Sequence, residues 1–392
     1  MAISQKMLAF AERSSWIRKM FEEGARLKAL HGAEQVCDFS LGNPDLPPPA
    51  RYQEAVRQVL AGEGPGAHAY MANSGYPFVR EAVAKQIGTE QGLALGPEEI
   101  LMTVGAAGAI NVVMKALLDP GDEVLILAPF FVEYHFYVDN HGGVTKIVST
   151  AADFSLDLVA IEAAISEKTK AIIINSPNNP TGQIYSAAEL AGLGAILARA
   201  PQTIYLISDE PYRKIVYDNH PVPSVFAACP NAIIVSSYSK DLSLPGERIG
   251  YIAVHPGIEG KPQLVGAMTL ANRILGFVNA PALMQRVVAQ LQGVTVDCGV
   301  YARRRALFCK VLSEAGYEFV PPKGAFYLFP KSPIADDARF VGLLAEERIL
   351  GVPGRGFGME GYFRLAFCVE DAVISRSAEG FKKAMARAKS LT

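Results

Sequence analysis

A lysine and an arginine eight residues apart, Lys240 and Arg248, stand in the stretch SSYSKDLSLPGERIGY (236–251), directly after the apolar run Ala232–Val235. A lysine desolvated at such a place has a depressed pKa and becomes a usable amine nucleophile. Ser237 and Ser239 beside it offer hydroxyls, and Arg248 offers a planar, permanently charged fork suited to phosphate or carboxylate. Asp209 follows Tyr-Leu-Ile-Ser, a poor setting for a solvated acid, and so calls for a cation or a protonated ring nitrogen; Tyr212 stands three residues on. SPNNPTG (176–182) presents Asn179 as an oriented amide, and GAAGA (105–109) lets the free amides at a helix start approach an anion closely. Taken singly, each has an ordinary explanation: a solvated lysine, a surface ion pair, a capping acid, an Asn-Pro-Thr-Gly turn, helix–sheet packing.

The elements that would position these residues give them a common address. Short β-branched runs predict strands at Ile100–Val104, Glu123–Ala128, Thr145–Ser149, Ala171–Asn175, Thr203–Ser208, Ala232–Ser236 and Ile249–Val254. Between them, Ala106–Leu118, Leu156–Ile165 and Ala187–Arg199 carry apolar residues at helical spacing. Such alternation predicts a mostly parallel sheet covered on both faces, and ligands bind beyond the carboxyl ends of its strands. The amine, the acid, the amide, the glycine-rich turn and the arginine all fall at strand ends. One cofactor asks for that set: pyridoxal phosphate, with an aldehyde for a lysine, a pyridine nitrogen for a carboxylate, a phenolate for donors, and a phosphate for serine, arginine and backbone.

Beyond a helix expected to begin near Ala282 and run long, the character changes. Arg303–Ala315 reads as a helix, Tyr317–Val320, Ala325–Phe329 and Tyr362–Phe367 as strands, and Ala372–Lys389 as a closing amphipathic helix. The N-terminal helix around Ile17–Leu30 is joined on through the rigid SLGNPDLPPP. The expected division is a large α/β domain over 45–285 and a small α+β domain formed by both termini, 1–44 and 286–392.

The chain has 392 residues, half of them apolar, enough for a large core. With 37 basic against 39 acidic residues and a net charge of −2, no field is built for nucleic acid or an anionic membrane. Five scattered cysteines without a CxxC pair argue for a reducing compartment and against a zinc or disulfide framework, and no stretch reads as a secretory leader or membrane span. A cytoplasmic protein with small-molecule partners and no metal is expected.

The ordered motifs SLGNPD (40–45), AYMANSGYPFVREAVA (69–84), TVGAAGAI (103–110), PFFVEY (129–134), NSPNNPTG (175–182), SDEPY (208–212), SYSKDLSLPGERIGY (237–251) and YFRLAFC (362–368) resemble the landmarks of the fold-type I class I/II aminotransferases, the aspartate aminotransferase superfamily. The resemblance implies an α/β fold, with a large, mostly parallel, mixed seven-stranded sheet domain and a smaller α+β domain. It implies that Lys240 is the Schiff-base lysine and Asp209 the acid at the pyridine nitrogen. Asn179 and Tyr212 would meet the phenolic oxygen. Gly105, Ala106, Ala107, Ser237 and Arg248 would hold the phosphate, with Tyr70 reaching it from the neighbouring subunit of a homodimer with shared active sites. Phe131 would stack on the ring, where tryptophan is common in dicarboxylate-specific members. Arg364 and Asn179 would bind the substrate, Arg364 through its α-carboxylate, with Gly42 alongside. The phosphate loop departs from the family in lacking a hydroxyl. The segment 271–281 resembles the region from which dicarboxylate-specific members present a second arginine; Arg273 is not carried over to that role.

The activity implied is transfer of an amino group from an L-amino acid to a 2-oxo acid by a ping-pong mechanism through a Lys240 aldimine, with aspartate or another common amino acid as donor. A β-lyase or decarboxylase on the same cofactor is the alternative, and a cofactor-binding sensor a third reading. Ile17, Arg18, Tyr134 and Phe277 are candidates for the side-chain pocket.

Overall fold

The structure, a computed structural model, describes residues 3–13 and 16–391. The chain divides into two compact units. The larger takes Pro44–Cys298 and Lys323–Ala325; the smaller takes the chain up to Asn43, Gly299–Pro322, and Phe326 onward. Residues 286–298 thus fall with the larger unit.

In the larger unit, strands β1 (Ile100–Thr103), β2 (Glu123–Ala128), β3 (Val144–Ser149), β4 (Thr169–Asn175), β5 (Tyr205–Asp209), β6 (Ala232–Ser237) and β7 (Gly250–Val254) form a seven-stranded sheet in the order β1-β7-β6-β5-β4-β2-β3. All neighbouring pairs are parallel except those of β7, which runs antiparallel to both β1 and β6. Side chains of a strand alternate between faces, so a sheet buried on both sides needs apolar residues at nearly every position. In β2, Leu125 and Leu127 join one core cluster with Ile172, Ile174 and Leu206, while Val124 and Ile126 join the other with Ala171, Ile173 and Ile207.

Helices α1 (Pro77–Gln91), α2 (Gly105–Leu117) and α3 (Ala187–Arg199) cover those faces. The start of α3 is set by a reciprocal cap: Ser186 Oγ accepts from the Glu189 amide, and Glu189 Oε2 accepts from the Ser186 amide. The long helix expected from Ala282 is instead a short one, Ala282–Ala289, and the next begins at Cys298. Gly293, at φ 78°, and the β-branched run Val294–Thr295–Val296 interrupt them.

The smaller unit has a three-stranded antiparallel sheet in which β10 (Phe363–Ala366) lies between β9 (Val352–Pro353) and β8 (Tyr327–Leu328). Cys37–Asp38 pairs in parallel with Ile349–Leu350. The strand expected at Tyr317–Val320 does not form. Tyr317 closes the preceding helix through its amide to Leu312, and its ring packs among Phe340, Phe363 and Phe381. The expected closing helix is two, Asp371–Arg376 and Ala378–Lys389. Among the described residues no helix is long and apolar enough to cross a membrane.

Candidate active site

Asp209 ends β5, paired with Asn175 at the end of β4 on one side and Val235 in β6 on the other. Its side chain is buried, with 5% of the residue exposed. Tyr134 Oη donates to Asp209 Oδ2 at 2.6 Å, whereas among the described residues no donor reaches Oδ1. Burial pushes the carboxyl up to about 7 despite the lowering pull of the Tyr134 hydroxyl; the Glu210 carboxylate adds to the rise. Burial first, and then the Asp209 charge, hold the Tyr134 phenol well above its usual range, so it remains a donor.

Asn175 ties this acid to the next turn. Its Nδ2 donates to the Asp209 carbonyl at 2.8 Å, and its Oδ1 accepts from the Asn179 amide at 2.7 Å. Asn179 is thereby fixed, buried, two residues past Pro177. Tyr212 is buried just after Asp209, and Lys240 Nζ lies 6.0 Å from its ring centroid. Lys240 follows the end of β6, whose last residue, Ser237, is also buried and accepts from the Ser239 amide.

A second cluster forms where β1, β6 and β7 end or begin together. Gly250, the first residue of β7, pairs with Thr103 on one side and Ser237 on the other. A Cβ on Gly250 would stand 2.4 Å from the Ser236 carbonyl oxygen and 2.9 Å from Gly105 Cα, so only glycine lets the strands approach. Gly105, at φ 79°, opens the thirteen-residue helix α2; a Cβ there would meet Arg248 Nη2 at 2.8 Å. Val104, a residue with no side-chain acceptor, occupies the N-cap, so the amides of Ala106 and Ala107 in the first turn are not capped by it. Arg248 Nη1 donates to the Pro245 carbonyl. Helix amides beside a guanidinium suit a phosphate, and Ser237 stands on the strand next to Gly250.

Phe131 packs edge-on against Tyr134, at 5.6 Å between ring centroids and 85°. Tyr70 is 92% exposed. In the smaller unit Arg364 is buried in β10, its Nη2 donating to the Ser40 carbonyl at 2.6 Å, its guanidinium 4.8 Å from the ring centroids of both Tyr327 and Phe357. Gly42 lies so near Tyr327 that a Cβ would fall 1.9 Å from the phenol oxygen.

The larger unit thus brings Asp209, Asn179, Tyr212 and Lys240 to the ends of adjacent strands, with Gly105 beside Arg248 and Ser237 paired with Gly250. Tyr134 is not a lining residue for a side-chain pocket: it is fully buried against Asp209. Phe277 is half-buried, beside Tyr70 in a surface depression. The side chains of Ile17 and Arg18 lie outside the described residues. Asn175 is a contributor that sequence reasoning passed over, and Tyr134 one it placed in the side-chain pocket instead of behind Asp209. Both lie inside quoted motifs, but an apolar setting hides a phenol's partner, and the Asn-Pro turn draws notice to Asn179 instead.

A family model for aminotransferases of class I and II matches residues 34–381. The chain belongs to that family. This aminotransferase is 33% identical to the aspartate/prephenate aminotransferase of Thermus thermophilus, over 92% of its own length and 94% of the relative's. It is also 33% identical to the aspartate aminotransferase of Thermotoga maritima, over 90% and 92%. Among solved structures, an amino transferase from Eubacterium rectale superimposes with a TM-score of 0.95 at 36% identity, covering 99% of both chains. The aspartate aminotransferase of Thermus thermophilus with maleate does so with 0.88 at 28%, covering 98% of this chain and all of that one. The mostly parallel seven-stranded sheet is therefore the aspartate aminotransferase fold, and the chain's chemistry is amino-group transfer.

Proposed function

We propose that this aminotransferase uses pyridoxal phosphate to move an amino group from an L-amino acid to a 2-oxo acid, and works as a homodimer with shared sites. The observation that carries the cofactor reading is Asp209. Its carboxyl is buried, anchored through one oxygen, and has its other oxygen without a partner among the described residues, at a strand end adjacent to that of Lys240. A buried acid oxygen of that kind is costly unless a proton-bearing group meets it.

When bound, the cofactor supplies an aldehyde that condenses with amines and a protonated ring that accepts the electron pair left at the substrate's α-carbon. Asp209 Oδ1 would hold the proton on the ring nitrogen, with Tyr134 Oη keeping the carboxylate oriented. Asn179 and Tyr212 would orient the ring through its phenolic oxygen, and Phe131 would cover its face. Gly105, Ala106 and Ala107 amides, Ser237 and Arg248 would bind the phosphate, joined by Tyr70 of the partner subunit. Lys240 Nζ would hold the cofactor until an incoming amine replaces it, and would then take the proton from the substrate's α-carbon as general base. Arg364 would bind the substrate's α-carboxylate, with Asn179 and Gly42 beside it.

Aspartate is the donor to try first, because relatives are named for it. The five cysteines are free thiols, which suits a cytoplasmic, reducing setting. Incubating the loaded enzyme with a panel of amino acids, without acceptor, tests the reaction. The expected outcome is a 2-oxo acid and the amino form of the cofactor in equal amounts. Pyruvate and ammonia, with the cofactor unchanged, would assign a β-lyase instead.

A further inference from the structure

A chain of largely buried charges runs through the larger unit without a role in the chemistry above. Ser208 Oγ donates to Glu210 Oε1 at 2.8 Å, and Arg213 Nη1 donates to Glu210 Oε2 at 3.0 Å. Arg213 Nε lies 3.4 Å from Glu90 Oε2, Glu90 Oε1 lies 3.9 Å from Lys214 Nζ, and Lys214 Nζ donates to Asp241 Oδ2 at 3.1 Å. None of the five charged side chains is more than 20% exposed. The backbone around them is pinned as well. The Val296 amide donates to the Asp241 carbonyl at 2.7 Å, and the Cys298 thiol donates to the Lys214 carbonyl at 3.3 Å.

Buried ion pairs are seldom more stable than apolar residues of the same size, because desolvation consumes the Coulomb gain. Their placement here points to geometry instead. The two ends of the relay are Glu210, the residue after Asp209, and Asp241, the residue after Lys240. Consecutive Cα atoms are held about 3.8 Å apart by a planar peptide, so fixing Glu210 and Asp241 fixes the backbones that carry the acid and the amine. Glu90, from α1, joins the two halves. A cavity of about 10 Å³, room for no more than one water, adjoins Glu210, Lys214 and Asp241, whose Oδ1 has no partner among the described residues.

We propose that this relay is a positioning device, in which Lys214 and Asp241 act as positioning residues that hold Lys240 in register with Asp209. The proposal rests on Lys240 being the cofactor-bearing amine. The test uses the full chain carrying Lys214→Met with Asp241→Leu, which removes both charges and keeps the volume filled. In cofactor-free protein the double variant is expected to melt within about 5 °C of the parent. Hydrogen exchange in the peptide spanning 236–244 should nevertheless quicken selectively. In loaded enzyme, kcat should fall by about tenfold to a hundredfold with KM for the donor within about twofold, since misplacement of a reacting group costs rate more than affinity. The visible circular dichroism of the bound cofactor should weaken in parallel. A folded double variant with parental kcat, dichroism and exchange overturns the proposal. Should the double variant fail to fold, Asp241→Asn, which keeps shape and an acceptor, decides by the same readouts: lowered kcat at unchanged KM supports the relay, and parental values overturn it. Borohydride reduction and peptide mass separate the two levels. A parent enzyme labelled elsewhere than Lys240 refutes the reading of the site and the relay with it, whereas a label on Lys240 with indifferent variants refutes the relay alone.

Discussion

At the scale of a single residue, the burial of Asp209 costs stability as pH rises. Burial raises its carboxyl in the cofactor-free protein to about 7, from an ordinary value near 3.8. Between those two values the folded chain binds more protons at this group than the unfolded chain, so its contribution to stability falls as pH rises through the window. Asp209→Asn removes the titration and keeps an acceptor for Tyr134. Cofactor-free Asp209→Asn is therefore expected to be more stable than the parent at pH 8. That advantage should exceed its value at pH 5 by on the order of 2 kcal/mol, read by urea unfolding at the two pH values. A gap independent of pH would mean that Asp209 is ionised throughout. The donor behind it can be tested separately. Tyr134→Phe keeps the ring and deletes a hydrogen bond to a charged acceptor, which contributes about 1.5–3 kcal/mol. Cofactor affinity should weaken by roughly tenfold to a hundredfold in equilibrium dialysis. Unchanged affinity would remove Tyr134 from the site.

At the scale of elements, the proposed phosphate cradle depends on how closely β1, β6 and β7 approach. Gly250→Ala would place a methyl 2.4 Å from the Ser236 carbonyl and 2.9 Å from Gly105 Cα, neither of which is the yielding end of a side chain. Destabilisation of about 1–3 kcal/mol is expected, with a disproportionate loss of phosphate binding, measured by thermal unfolding with and without inorganic phosphate. An equal phosphate-induced shift in parent and variant would dissociate the glycine from the cradle. Most strands of this sheet were legible because buried strands are written as nearly unbroken apolar runs, punctuated by glycines and polar residues, while the largely exposed edge strand β3 was legible from its β-branched residues. The smaller unit was less legible for a physical reason. Its strands are two to four residues long and its order comes from side chains, as with Tyr317, whose aromatic neighbours come from distant segments. Tyr134 was hidden in the same way, since its partner lies 75 residues away.

For the whole molecule, the exposed Tyr70 is the informative feature. A tyrosine that is 92% exposed gains little from burial, yet the backbone beside it is clamped by three carboxamides. Asn272 Nδ2 donates to the Asn73 carbonyl, Asn279 Nδ2 to the Ala72 carbonyl, and Gln285 Oε1 accepts from the Tyr76 amide. A held backbone next to an exposed aromatic ring makes sense if a second copy receives the ring, because less backbone freedom is lost on association. If Tyr70 serves the partner's phosphate, Lys240→Ala and Tyr70→Ala lie in different halves of one site. Mixing the two variants under conditions that let subunits exchange should create hybrids with one site carrying both substitutions and one carrying neither. Random pairing makes about half of the dimers hybrids, so about one quarter of all sites should regain parental activity. Activity that only dilutes in proportion to the Tyr70→Ala subunit, in a mixture whose exchange is verified by mass, would assign each site to a single chain.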